Sequence, residues 1–358
     1  MPEPLRLSLD DADARSGPVS GPSSGRSTGA LRDPGDTRDP RGRRVRLVLL
    51  ALVVLAVVAC AAFLLLDVQG AWSYVLGLRS RTLGALLVVA LAIAVSTVVF
   101  QTVTENRILT PSIMGFDALY VLVQTVAVFT LGAVGLSGVP APVQFGVTLV
   151  VMLGCSVALF AWIFGAARRS VHLLVLVGVV LGVLLRSLTA MLQRMIDPNE
   201  FQVLQARLFA SFTGVDPALL GVSGILLVGT CWWLWRRRHE LDVLALGRPN
   251  AVALGVEHRR RVMTLLVAVS LLVSVSTALV GPITFFGLLV ANLAYVLTGS
   301  SKHAVTLPTA ALTAVVVLVG GQAVLDHVLS MGTVLSVVIE LCGGIVFIVL
   351  LVASGRRR

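Results

Sequence analysis

Charged side chains are in short supply. Asp, Glu, Lys and Arg make up 13% of the 358 residues, against about 25% in a soluble domain. Catalytic signatures are missing too. There is no GxxxxGK[ST], no GxSxG and no HExxH; "HELDV" at 239–243 lacks the second histidine. A phosphate-cradling loop, a nucleophile elbow and a zinc-binding helix each need those residue types at those spacings. No Ser–His–Asp or paired-carboxylate constellation stands in their place. No catalytic residue is therefore expected, and any ATP used must be hydrolysed on another chain. The four cysteines, Cys60, Cys155, Cys231 and Cys342, are scattered without CxxC spacing. Each lies in or beside an apolar run, where a thiol packs as a small apolar group rather than as a metal ligand or disulfide partner. Basic and aromatic residues are not interleaved as nucleic-acid surfaces require, so the net charge of +10 points elsewhere.

What is present is hydrophobicity. Apolar residues make up 57% of the chain, gathered into runs of roughly 20 residues, the length that crosses a bilayer as a helix. Ten candidate spans lie near 47–66, 82–100, 111–131, 143–167, 171–193, 216–235, 262–280, 283–299, 305–325 and 333–353. Residues 1–46 are rich in Ser, Gly, Pro, Asp and Arg without apolar periodicity, which predicts a disordered cytoplasmic tail. Residues 354–358 form a short basic C-terminus. "VVAC" at 57–60 resembles a lipoprotein cleavage site, but the apolar run continues past Cys60 to a spanning length. With the N-terminus inside and ten alternating spans, 18 basic residues fall inside and 4 outside, namely Arg79, Arg81, Arg194 and Arg207. That asymmetry is what the positive-inside rule expects, with both termini in the cytoplasm.

A repeat is visible at an offset of 180. Between 81–104 and 261–284, eight of 24 positions are identical, including Ser96 and Thr97 with Ser276 and Thr277. Five spans separate the two segments, so they run in opposite senses, the arrangement of an inverted-topology repeat. The fold class is all-α, a polytopic inverted-repeat transporter domain over 47–353.

The stretch "QTVTENRILTPSIMGFDALYVLVQT" (101–125) interrupts the apolar pattern with Glu105, Arg107, Pro111, Gly115 and Asp117. Residues 101–110 read as a short turn, and Pro111 as the start of a helix, where its missing donor costs nothing. Asp117, Arg186 and Glu340 are charges inside apolar runs, which face protein or water rather than lipid. Gly178 and Gly182 form a small-xxx-small pair suited to close helix packing. Gly281-Pro282 alone separates the seventh and eighth spans, which predicts a tight hairpin. The longest polar interruption is "RRRHELDVLALGRPNAVALGVEHRRR" (236–261). Its middle, 241–256, reads as two short amphipathic helices punctuated by Gly247 and Gly255, an element with an apolar face and no bilayer to bury it in.

Four stretches together resemble the iron–siderophore and vitamin B12 family of ABC importer permeases. "LGRPNAVALG" (246–255) is similar to its coupling segment. "LRSRTLGALL" (78–87), "TENRILTPSIMGFDALY" (104–120) and "VGPITFFGLLVANLAY" (280–295) are similar to three further motifs, in the family's order, and look closest to the ferric-siderophore branch. The chain departs from the family's pattern in lacking a proline between Arg79 and Arg81, and in carrying Ala291-Asn292 where the family has Pro-His. The resemblance implies a permease subunit that binds no cofactor itself. It implies a second permease subunit, identical or paralogous, and two ABC ATPases that use ATP-Mg. It also implies an extracytoplasmic binding lipoprotein that delivers an Fe(III)-siderophore across a bacterial plasma membrane. Leu246, Gly247, Arg248, Ala251, Leu254 and Gly255 would couple to the ATPases, with Ala251 offering them a small surface. Arg79 and Arg81 would dock the binding protein. Pro111, Gly115, Asp117, Gly281, Pro282, Thr284, Gly287 and Asn292 would line the pathway. The competing class is an ion-gradient-driven secondary transporter, in which Asp117 or Glu340 would carry protons; it leaves the patterned 241–256 segment without a purpose.

Overall fold

The computed structural model describes residues 40–66, 72–165, 171–326 and 335–355, and among them every regular element is helical. In chain order these are α1 (Pro40–Leu65), α2 (Trp72–Val103), a 3₁₀ turn (Pro111–Met114), α3 (Phe116–Gly138), α4 (Ala141–Gly165), α5 (Val171–Gln193), α6 (Pro198–Leu208), α7 (Pro217–Arg236), α8 (Arg238–Leu244), α9 (Arg248–Ala253), α10 (His258–Val280), α11 (Phe286–Thr298), α12 (His303–Val324) and α13 (Leu335–Gly355). Eight of them, α1–α5, α7, α10 and α12, are long and apolar enough to cross a membrane. The apolar α11, at 13 residues, and the apolar stretch Leu335–Val346 of α13 are shorter.

The centre of the bundle is a pair, α2 against α10. Helix α2 also packs on α12, and α10 on α4, so each central helix carries an outer one. Sequence dictates who sits in the middle. All-round apolarity does not select α2, since peripheral helices are as apolar and can face lipid; what marks it along 85–103 is a run of buried small residues and threonines, Ala85, Ala90, Ala92, Ala94, Ser96, Thr97 and Thr102 among them. Small residues such as Ala90, Ala92, Ala94 and Ser96 let neighbouring backbones approach closely. In their most apolar stretches 72% of α2 and 67% of α10 is buried inside the chain, against 17% of α5 and α7, which therefore form the periphery. The two central helices meet around equivalent residues of the repeat. Ile93, Ser96 and Thr97 line the same small cavity as Val273, Ser276 and Thr277, each pair 180 residues apart.

Four expectations change. Helix α1 starts at Pro40, so the arginines at 43, 44 and 46 are helical rather than part of a tail; residues 1–39 and 356–358 lie outside the described residues. Helix α2 begins at Trp72, ten residues before the expected boundary of 82, which puts Arg79 and Arg81 inside a helix. Helix α6 was not expected; Asp197 caps it through Asn199 N (2.9 Å), and Pro198 opens its first turn. Helices α10 and α11 do not form a tight hairpin. Gly281 at φ +103° and Phe285 at φ +57° redirect the chain, and α11 packs on α2, α12 and α13 instead.

Candidate functional site

Two groups of residues stand out, one at an end of the bundle and one inside it. At the end, α8 and α9 form a helical hairpin. Its inner face is anchored by Leu241, Leu244 and Ala251, all buried in the chain's main core. Its outer face shows Leu246, Val252 and Leu254, which are 56%, 54% and 62% exposed, with Arg248 beside them. Gly247 at φ +87° precedes α9. Gly255 at φ +82° ends it: Gly255 N bonds Val252 O and Val256 N bonds Ala251 O, both at 3.0 Å, the left-handed cap that glycine favours. Glu240 bridges Arg237 and Arg261 at 3.4 Å each and ties the hairpin to α10. Arg236 and Arg238 lie over the rings of Trp232 and Trp235, both at 5.0 Å.

Ala251 is the correction here. It is fully buried, so it offers no surface to another molecule; its small size lets α9 settle onto the bundle. A tryptophan at that position would overfill the chain's own core and dislodge the hairpin. The exposed surface belongs to its neighbours.

Inside the bundle, the entry to α3 meets the stretch between α10 and α11. Pro111 opens the 3₁₀ turn, which ends at Gly115 with φ +96°, and Asp117 lies in the first turn of α3. Thr284, 167 residues away, donates its Oγ1 hydrogen to Asp117 Oδ2 at 3.1 Å. The structure thus joins two residues singled out separately in the sequence. A cavity of about 20 Å³, room for about one water, lies beside them. Its polar lining is Ser96, Thr97, Ser112, Asp117, Ser276 and Thr277.

The glycines explain the close fit. A Cβ on Gly115 would lie 2.9 Å from Gly182 Cα, while Met114 covers Gly178, so the Gly178/Gly182 pair of α5 receives the 3₁₀ turn. A Cβ on Gly287 would fall on Thr97 Oγ1, and one on Gly281 would lie 3.2 Å from Ala210 Cα. Gly343 of α13 would meet Phe285 at 3.0 Å. Pro282 is half-buried in the same stretch. Asn292 does not join this group; its amide bonds Leu288 O of its own helix at 2.9 Å.

Arg186 and Glu340 converge on the same place. Both are close enough to act electrostatically on Asp117, and the Arg186 guanidinium reaches back over Gly182. Both are exposed in the single chain. A charge on the outside of an apolar helix needs water or protein beside it.

Arg79 has local work. Its guanidinium donates to Leu66 O at 2.5 Å and to Phe63 O and Leu64 O at 3.3 Å, satisfying carbonyls that the end of α1 leaves open. Arg81 is exposed. Sequence reasoning passes over Asp242, His303 and Thr102, which the fold bonds together near the hairpin. Separations of 61 and 201 residues leave no local pattern to find them by.

Comparison with known proteins places this architecture. The chain is 41% identical over 297 residues to the petrobactin import system permease protein YclO of Bacillus subtilis, covering 83% of this chain and 94% of that one. It is 36% identical to the petrobactin import system permease protein FatC of Bacillus anthracis, over 74% and 75% of the two chains. It is 31% identical to the vitamin B12 import system permease protein BtuC of Klebsiella pneumoniae, over 77% and 81%. A solved metal-chelate type ABC transporter in an inward-facing conformation superposes with a TM-score of 0.75 at 22% identity, covering 86% of this chain and 99% of that one, a likeness of fold. The FecCD transport family model matches residues 45–353, so the chain belongs to the FecCD transport family.

Proposed function

We propose that this chain is the permease subunit of an ATP-driven importer of a ferric siderophore. The observation that carries the proposal is the α8–α9 hairpin: it is fixed to the bundle by Leu241, Leu244 and Ala251, yet turns Leu246, Val252 and Leu254 outward. Exposed apolar side chains on an anchored helical hairpin with arginines on both sides call for a protein partner. That partner is a separate ATPase subunit that binds ATP-Mg. The two petrobactin permeases among the relatives support a siderophore as cargo.

In this reading all ten apolar helices span, with α11 completing its crossing through the non-helical stretch at 281–285. Both termini and the hairpin face the cytoplasm of a bacterium. Two permease subunits, identical or paralogous, enclose the path, and an extracytoplasmic lipoprotein delivers the chelate near Arg81. Nucleotide binding draws the ATPases together, shifts the hairpins and biases the bundle between its two states. The Asp117–Thr284 junction joins the two halves of the repeat where they must move past each other, and Arg186 and Glu340 face the path.

The test is uptake of radio-iron siderophore into proteoliposomes holding the permease, its ATPase and its binding protein. ATP should drive uptake with no ion gradient. Uptake driven by a proton or sodium gradient without ATP would replace this reading with the secondary-transporter one, with Asp117 as the ion-carrying group.

A further inference from the structure

The hairpin is tied to the bundle by a chain of hydrogen bonds, part-buried at Asp242 and buried at Thr102. Asp242 of α8 accepts two bonds on the same oxygen, Oδ1: one from the backbone N–H of His303 and one from its ring Nδ1, both at 2.7 Å. His303 is the first residue of α12, and Lys302 before it makes no capping bond with its own side chain. Asp242 therefore caps α12 from another element, satisfying a donor that the helix start leaves open. Because a carboxylate has no hydrogen to give, the ring hydrogen sits on Nδ1. The other ring nitrogen, Nε2, lies 2.7 Å from Thr102 Oγ1, in the last turn of α2. His303 is 2% exposed, and its bond to Thr102 is buried, whereas the Asp242 side chain is 31% exposed, so the imidazole is the shielded centre of the linkage and the carboxylate its wetter end.

The alternatives are weaker. Glu240–Arg261 also joins the hairpin to α10, but both side chains are more than a third exposed and such pairs hold little. The apolar anchors fix the hairpin's position without direction, since contacts among leucines can slide. Hydrogen bonds with two fixed partners cannot slide without breaking.

We infer that Asp242–His303–Thr102 is the linkage through which motion of the hairpin reaches α2 and α12. This rests on the hairpin being the ATPase docking element. His303 and Thr102 are positioning residues: they touch neither nucleotide nor chelate. Displacing α8 pulls the N-terminus of α12 and the C-terminus of α2 together. Helix α2 is half of the central pair, so the pull enters the bundle at its core. A linkage of this kind does not alter how tightly the ATPase binds. It sets how much of each hydrolysis cycle becomes transport.

The experiment uses the reconstituted full transporter and measures ATP hydrolysed per chelate imported. His303→Asn keeps a nitrogen near the Nδ1 position and drops the contact to Thr102. Thr102→Val keeps the shape and removes the hydroxyl, and Thr102→Ser restores it. The expected result is at least a threefold rise in the ratio for His303→Asn and Thr102→Val, unchanged ATPase binding, and a return to the wild-type ratio for Thr102→Ser. A purely structural role would lower folded yield and leave the ratio unchanged, and a wild-type ratio in Thr102→Val overturns the linkage even if His303→Asn is not recovered folded. A parallel arm measures ATPase binding to Leu254→Asp. Binding that survives this change would overturn the docking reading, and the linkage with it; lost binding together with a wild-type ratio in Thr102→Val would overturn the linkage alone.

Discussion

Gly255 in the hairpin and Gly115 inside the bundle both hold the chain at positive φ, +82° and +96°. Around Gly255 a Cβ would meet nothing within 4 Å; at Gly115 it would strike the backbone of α5. One backbone device thus serves two ends. At the hairpin it turns the chain so that a surface points outward. At the junction it lets two elements close to a distance no other residue permits. The hairpin leaves an apolar surface open, and the junction closes on itself.

The sharpest way to test that contrast is to put the same residue at both glycines. Gly115→Val adds backbone strain of about 1–3 kcal/mol and overpacking of about 1–3 kcal/mol. Folded, monodisperse protein on size-exclusion chromatography should fall to about a tenth of wild type or less. Gly255→Val carries the strain without the clash, and its folded yield should stay within about twofold.

Next comes the surface itself. Leu254→Asp places a charge on the outward face and touches nothing inside the chain, so folded yield should be normal. ATPase binding in nanodiscs should weaken by about tenfold or more, as expected for an anchor at the centre of an interface.

The junction answers to smaller changes. Thr284→Val preserves shape, removes the hydrogen bond to Asp117 and leaves a part-buried carboxyl oxygen one donor short, a loss of about 1–3 kcal/mol. Uptake per folded transporter should drop several-fold, while ATPase binding holds. An unchanged uptake rate would leave the junction as packing alone.

The arginines of α2 give the smallest effects and divide the same way. Arg79→Gln removes bonds to the end of α1 and should lower the melting temperature by a few degrees, with binding-protein affinity unchanged. Arg81→Glu should leave the melting temperature alone and, by reversing the charge at the proposed docking point, weaken binding-protein affinity a few-fold. If the two variants behave alike, Arg81 has no separate role in docking.

Much of this is legible in the sequence. The hairpin helices were legible because Gly247, Pro249 and Gly255 punctuate a short amphipathic run, and such signals are local. The Gly178/Gly182 packing surface was legible for the same reason. The burial of Ala251 was not, because a small residue on a short helix suits an outer face and an inner one equally well. The extension of α2 through Arg79 was hidden because hydropathy ends a span at a charge, whereas the helix continues by handing that charge to the carbonyls of α1. The meeting of Asp117 with Thr284, and of Asp242 with His303 and Thr102, depends on how helices far apart in the chain pack together. No window of sequence contains it.

One paired measurement tests the division most directly. In a single reconstituted system, ATPase binding and chelate uptake are recorded for Leu254→Asp and for Asp117→Asn, each normalised to folded permease. Leu254→Asp should lose both, whereas Asp117→Asn should bind its ATPase as wild type does while uptake falls at least about fivefold. ATPase binding retained in Leu254→Asp, or lost in Asp117→Asn, would contradict that division.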